Sequence, residues 1–271
     1  MSGIPGPLAE LGLQALPFPK APARAQLFRW PGLEEAMARL HIVLDTRGIM
    51  LLTGETGCGK STVVRAFLGE LDPVRQPAVY LADSRLLPRD FYAQVLEHFG
   101  VLPARTYSAA RRQFQTLMSD LAGAQEKAPV VVIDEAQGLT QEMVQELRYV
   151  QNVYCDADSP FALVLAGHSE LRATLRLKVF EAVTQRITMR YHLPGLTAEQ
   201  VGRFVAHGLA LAGVGHPLFT EEALQLLHKH SQGLPRRVGL LATHALLDAA
   251  VCRTPLVEEA SMRRAVAELE E

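Results

Sequence analysis

Cysteine is scarce in this chain, and what there is does not pair. The three cysteines among 271 residues, Cys58, Cys155 and Cys252, are odd in number and far apart. No CxxC pair occurs, which excludes a disulfide framework and any zinc motif built on paired thiols. Long apolar runs are also missing, and none reaches the roughly 20 residues that span a bilayer. The first residues, MSGIPGPLAELGLQALPFPKAP, lack a basic segment leading into an apolar one, so they do not read as a secretory signal. These absences predict a cytoplasmic protein with no membrane partner. Excess charge of one sign is lacking too. The formal net charge is -2, so any nucleic-acid contact must come from a local basic patch. Internal repeats and low-complexity stretches do not occur. What is present suffices for a buried core: 48% of the residues are hydrophobic and 21% charged, which is ordinary for a globular chain.

Apolar periodicity divides the chain in three. Residues 1 to 28 are rich in proline and read as an extended arm. Residues 29 to 194 alternate helix and strand. Pro31 to His41 places Leu33, Ala36, Met37 and Leu40 on one helix face. Further helices are expected at Ser61 to Leu71, Arg89 to Phe99, Tyr107 to Gln125 and Glu142 to Asn152. Short apolar runs at Gly48 to Thr53, Ala78 to Ala82, Val130 to Ile133 and Phe161 to Ala166 read as buried strands. The alternating ITMRYHL, Ile187 to Leu193, makes a fifth. Strands of this kind separated by helices predict an α/β fold with a five-stranded parallel sheet covered on both faces. Residues 195 to 271 read as a small all-helical domain, with helices at Thr197 to Gly213, Thr220 to Ser231, Pro235 to Cys252 and Val257 to Glu271. Thr197 and Gln200 make a capping box, and Thr220 is an N-cap followed by Glu221 and Glu222.

The chemistry is concentrated in two segments. Gly54-Glu55-Thr56-Gly57-Cys58-Gly59-Lys60-Ser61 follows an expected strand and opens an expected helix, the context that GxxxxGK[ST] requires. Its glycines let backbone amides turn toward phosphate oxygens, and the helix N-terminus adds the positive end of its dipole. Lys60 would neutralise the β- and γ-phosphates of ATP, Ser61 would ligate Mg2+, and Thr62 extends the cradle. Cys58 occupies a variable position of the loop. The second segment is VVVIDE. Asp134 ends a strand where an open α/β sheet binds its ligand, and would hold the magnesium with Ser61. Glu135 follows at once, placed to orient and deprotonate the attacking water.

The succession GETGCGKS, VVVIDEAQ, LAGHSEL, QRITMRYHL and GLPRRV resembles the ExeA-like branch of the AAA+ ATPases, from about Pro17 to the C-terminus. The resemblance implies a P-loop AAA+ core with a helical lid. It further implies that Arg186 is an arginine finger reaching a neighbouring subunit's γ-phosphate, and that Arg236 is the sensor arginine of the lid. His168 stands where related proteins carry a polar sensor, often Gln or Asn. Phe28 lies where the family's N-terminal stretch packs against adenine. Spacing alone would leave Arg186 and Arg190 on a solvated strand face.

Three roles fit such an ATPase. One is a regulator of transposition like the Mu B, TnsC and TniB proteins, which forms an ATP-dependent ring or helical oligomer on double-stranded DNA and recruits or stimulates a transposase. The second is assembly of a secretion apparatus, and the third is initiation or loading in replication. The first is expected here, because the chain carries no membrane span, wall-binding domain or winged helix after the lid helices. Arg85, Arg89, Arg105, Arg111 and Arg112, with Tyr107 among them, would then line the DNA channel without reading sequence. Any one of them is also an ordinary exposed arginine. The lid histidines His207, His216, His228, His230 and His244 match no zinc spacing, and Tyr149, Tyr154 and Phe161 read as packing.

Overall fold

All five apolar runs form strands. Ile49–Thr53 (β1), Ala78–Leu81 (β2), Val130–Ile133 (β3), Ala162–Gly167 (β4) and Ile187–His192 (β5) make one parallel sheet in the order β2-β3-β4-β1-β5. The computed structural model describes residues 6–83, 85–151 and 159–270; Tyr154 and Cys155 lie outside them, as does Asn152. β1, β3 and β4 are buried along their whole length, which is why they read as unbroken apolar runs.

The chain separates into two compact units, one of residues 31–54 and 60–193, the other of residues 1–30, 55–59 and 194–271. In the sheet unit, Pro31–Thr46 (α2) packs on β1, β4 and β5, and Lys60–Leu68 (α3) on β4. The opposite face of the sheet meets Pro88–His98 (α4), Tyr107–Ala122 (α5) and Gln141–Val150 (α6) through Phe91, Phe114, Met118, Met143 and Leu147. Leu171 and Leu175 join that core from Ser169–Leu175 (α7), and Val183 from Glu181–Thr184 (α8). These last two helices are too short to show a periodic signal, so the sequence does not announce them.

The alternation in β5 is interrupted. A bulge after Ile187 shifts the pairing so that Met189, not Thr188, stands opposite Met50, and Arg190 and His192 stand opposite Leu51 and Thr53. The Thr188 hydroxyl donates to the Ile49 carbonyl at 3.0 Å. The bulge brings Arg190 and His192 to the same face as Ile187. There they line, with Leu51, Thr53, Arg172 and Arg176, a cavity of about 410 Å³.

The helical unit comprises Ala198–Leu211 (α9), Glu221–Ser231 (α10), Pro235–Val251 (α11) and Glu259–Glu270 (α12). The Thr197 hydroxyl accepts from the Gln200 amide at 3.3 Å, and Gln200 Oε1 accepts from the Thr197 amide at 3.1 Å, closing the capping box. Asp248 on α11 meets Arg264 on α12 at 2.7 Å, and that hydrogen bond holds the carboxyl below its ordinary range.

The proline-rich start is not the extended arm that its composition suggests. It contains Gly6–Glu10 (α1), which packs on α11 with Leu8 fully buried. Phe18 stacks on Phe204 with ring centroids 5.6 Å apart and lies over Gly208. A Cβ at Gly208 would stand 2.7 Å from the Pro17 carbonyl oxygen and closer still to the Phe18 ring. Gly→Ala inside a helix ordinarily stabilises by about 1 kcal/mol. Here the sign should reverse: Gly208→Ala is expected to lower stability by about 1–3 kcal/mol through overpacking, read from urea unfolding. A gain would show that Phe18 does not seat there in solution.

Candidate active site

β1 ends at Thr53 and α3 starts at Lys60, and the residues between turn through two left-handed glycines, Gly57 at φ 83° and Gly59 at φ 107°. A side chain at either position would be strained. Lys60 is buried, and its Nζ donates to the Gly54 carbonyl at 2.9 Å. Ser61 follows, exposed, in the first turn of α3, with Thr62 half-buried beside it. Glu55 and Thr56 are exposed at the crest, whereas Cys58 is fully buried. In the helical unit, where residues 55–59 are counted, the Arg236 amide donates to the Gly57 carbonyl at 3.2 Å.

The strand order places the rest. β4 lies between β3 and β1, so the ends of these three strands present Asp134, His168 and Gly54 along one edge of the sheet. Asp134 is buried, and its Oδ2 accepts from the Ser61 hydroxyl at 2.9 Å and from the Tyr80 hydroxyl at 2.7 Å. Its Oδ1 accepts the Glu135 amide at 2.9 Å. Burial, and then the hydrogen bond to Asp134, push the Tyr80 phenol well above its ordinary pKa. Hydroxyl and carboxylate oxygens side by side suit magnesium, a hard cation that takes few protein ligands beside phosphate oxygens. Among the described residues no cluster of three His, Cys, Asp or Glu offers an all-protein metal cage.

Comparison with known proteins shows what this arrangement is similar to. The AAA domain family matches residues 43–175, the span that holds the phosphate loop, Asp134, Glu135 and His168. Over 241 residues the chain is 36% identical to general secretion pathway protein A of Aeromonas hydrophila, covering 88% of this chain and 44% of that protein. The chain thus spans less than half the length of this curated relative. Among solved structures it resembles Cdc6p from Pyrobaculum aerophilum, with a TM-score of 0.64 at 14% identity over 96% of this chain and 70% of that one. It also resembles Drosophila ORC bound to DNA, with a TM-score of 0.66 at 16% identity over 100% of this chain and 69% of that one. At such identities the likeness shows the fold, that of P-loop AAA+ proteins with a helical C-terminal part.

Within the matched span, Glu135 has a left-handed backbone, φ 53° and ψ 34°, a conformation that costs a non-glycine residue about 1–2 kcal/mol. Its carboxylate accepts from Gln137 Nε2 at 2.6 Å and lies 3.4 Å from His168 Nε2. Tyr80 and Gln137 are site residues that sequence reasoning missed. Gln137 stood in the quoted DEAQ motif without a role. Tyr80 carries no local signal, since only the pairing of β2 with β3 brings it to Asp134.

The remaining candidates divide. Arg186 sits between α8 and β5, partly exposed. Arg236 is exposed in the first turn of α11, whose helix begins at Pro235. Phe28 stacks on Trp30 at 6.2 Å and meets Phe204 edge-on at 5.5 Å, an aromatic cluster of the helical unit. Arg85, Arg89, Arg105 and Arg112 are exposed, with no ion pair among the described residues. Arg111 is different. It turns inward, 3.3 Å from Glu146 and over the Tyr149 ring. Glu146 is buried and also accepts from the Tyr92 hydroxyl at 2.6 Å. Burial and then Glu146 push the Tyr107 phenol up to about 12. A buried carboxylate needs such partners, so Arg111 faces the interior, while Tyr107 stays exposed. Among the described residues no helix is long and apolar enough to cross a membrane.

Proposed function

We propose that the chain is a magnesium-dependent ATPase module that works in the assembly of a secretion apparatus. The observation that carries the hydrolytic part is the group formed by Lys60, Ser61, Asp134 and Glu135 at the ends of β1 and β3. Lys60 and the loop amides bind the phosphates. Ser61 and Asp134 would hold the magnesium ion, which supplies charge neutralisation when bound. Glu135 takes a proton from water as its oxygen attacks the γ-phosphorus. The bond to the bridging oxygen breaks, and ADP and phosphate leave. Arg186 places its fork on the γ-phosphate held by a second copy, so that the assembled ring or helix is the active form. Arg236 acts as the sensor arginine of the helical part.

The similarity to general secretion pathway protein A over 88% of the chain supports the cellular role. Deleting the chain from its host is expected to stop export of proteins that use the apparatus, and a copy carrying Arg186→Ala should not restore it. A second reading, a regulator of transposition assembled on duplex DNA and partnered by a transposase, draws on Arg85, Arg89, Arg105 and Arg112. A few such contacts per subunit would give salt-dependent binding without sequence preference. Undiminished export, together with an ATP-dependent electrophoretic shift of duplex DNA at low salt, would transfer the assignment to it.

A further inference from the structure

The amide of Gln137 faces two fixed demands. On one side is the Glu135 carboxylate, which only accepts; on the other is the His168 backbone N–H, which only donates. Gln137 Nε2 donates to Glu135 Oε2 at 2.6 Å, and Gln137 Oε1 accepts from the His168 amide at 2.9 Å. The orientation of the amide is therefore set by chemistry and not by choice of fit. Its seat is close. A Cβ on Gly167, the last residue of β4, would lie 2.9 Å from Gln137 Oε1 and 3.2 Å from the Gln137 backbone nitrogen. Gln137 belongs to the short 3-10 turn Ala136–Gly138, whose Gly138 amide donates to the Glu135 carbonyl at 2.9 Å. One side chain thus ties the end of β3 to the end of β4, and does so through the carboxylate that would take the proton.

Glu135 needs such a tie. Its side chain is about half exposed, and its left-handed backbone is a conformation that persists only when the surroundings impose it. Left alone, an exposed glutamate samples several rotamers, few of which face an attacking water. We infer that Gln137 is a positioning residue for hydrolysis: it holds the Glu135 carboxylate against the end of β4, level with His168. Other residues do not meet both demands. Glutamate would keep the acceptor for the His168 amide but set a second negative charge against Glu135, and asparagine is one methylene short.

The inference rests on Glu135 being the base, and the test separates the two. Gln137→Met keeps the length of the side chain and removes both hydrogen bonds. It is expected to lower kcat by about 10- to 100-fold, the cost of misplacing a catalytic group by about an ångström. The dissociation constant for ATP should stay within about twofold of the parent, since Gln137 takes no part in the phosphate loop. Gln137→Glu serves as a second variant, whose expected loss is at least as large. The decisive measurement is made in the Glu135→Gln background. With no carboxylate left to position, adding Gln137→Met should change the residual single-turnover rate by less than about twofold. An equal loss in both backgrounds would mark Gln137 as merely structural. A normal kcat for both Gln137 variants beside an inactive Glu135→Gln would overturn the proposal alone. Full hydrolysis by Glu135→Gln would overturn the assignment of the base and the proposal with it.

Discussion

Lys60→Ala is expected to abolish ATP binding in a fluorescence titration with a labelled nucleotide. The ammonium is buried and 2.9 Å from the Gly54 carbonyl, held at the mouth of a loop whose amides have no charge of their own to offer. Phosphate oxygens entering that loop lose water, and Lys60 is the cation that compensates them there. Removing one partner of a buried charge pair costs about 3–5 kcal/mol, hundreds- to thousands-fold in Kd. Far-ultraviolet circular dichroism checks that the fold survives loss of the Lys60–Gly54 hydrogen bond. Affinity within a few-fold of the parent would remove the phosphate loop from the account of this protein.

Glu135→Gln is expected to keep nucleotide binding and stop turnover. The substitution preserves size and leaves Asp134 with its donors Ser61 and Tyr80. The metal-binding oxygens and the phosphate loop are therefore untouched. What disappears is the group that accepts the water's proton, and positioned general bases contribute about 10²- to 10⁴-fold. Phosphate release at saturating ATP should fall by that factor while the titrated Kd stays within a few-fold. Hydrolysis close to the parent rate would mean that another side chain activates the water, and His168 would be examined first because it lies 3.4 Å from Glu135.

Both variants act on residues that were legible from the start, and the reason is locality. A phosphate loop is a run of consecutive backbone amides with a lysine and a hydroxyl at fixed offsets, so its chemistry is spelled out in Gly54 to Ser61. Asp134 and Glu135 were legible for a related reason: VVVI has to be a buried strand, and carboxylates at its end have to meet whatever lies there. The C-terminal helices were readable from caps such as Thr197 with Gln200. The proline-rich start misled because proline content excludes regular helix over long stretches but says nothing about where Leu8 and Phe18 are buried.

The sequence by itself determined the class of fold, the loop that takes phosphates and the acidic pair across from it, all of which depend on neighbours in the chain. The tertiary structure alone decided the strand order, and with it everything that depends on residues meeting across strands and helices. β4 had to lie between β3 and β1 before Gln137 could join Glu135 to His168. β2 had to pair with β3 before Tyr80 could reach Asp134. α5 had to pack beside α4 before Arg111 could face the Glu146 carboxylate that Tyr92 also serves, which withdrew it from the basic patch its spacing had suggested. The bulge in β5 likewise brought Arg190 and His192 to the face of Ile187, against the alternation of the sequence. Periodicity tells a residue which face of its own element it occupies, whereas partners across the fold are set by register and by the burial of charges that must be paired.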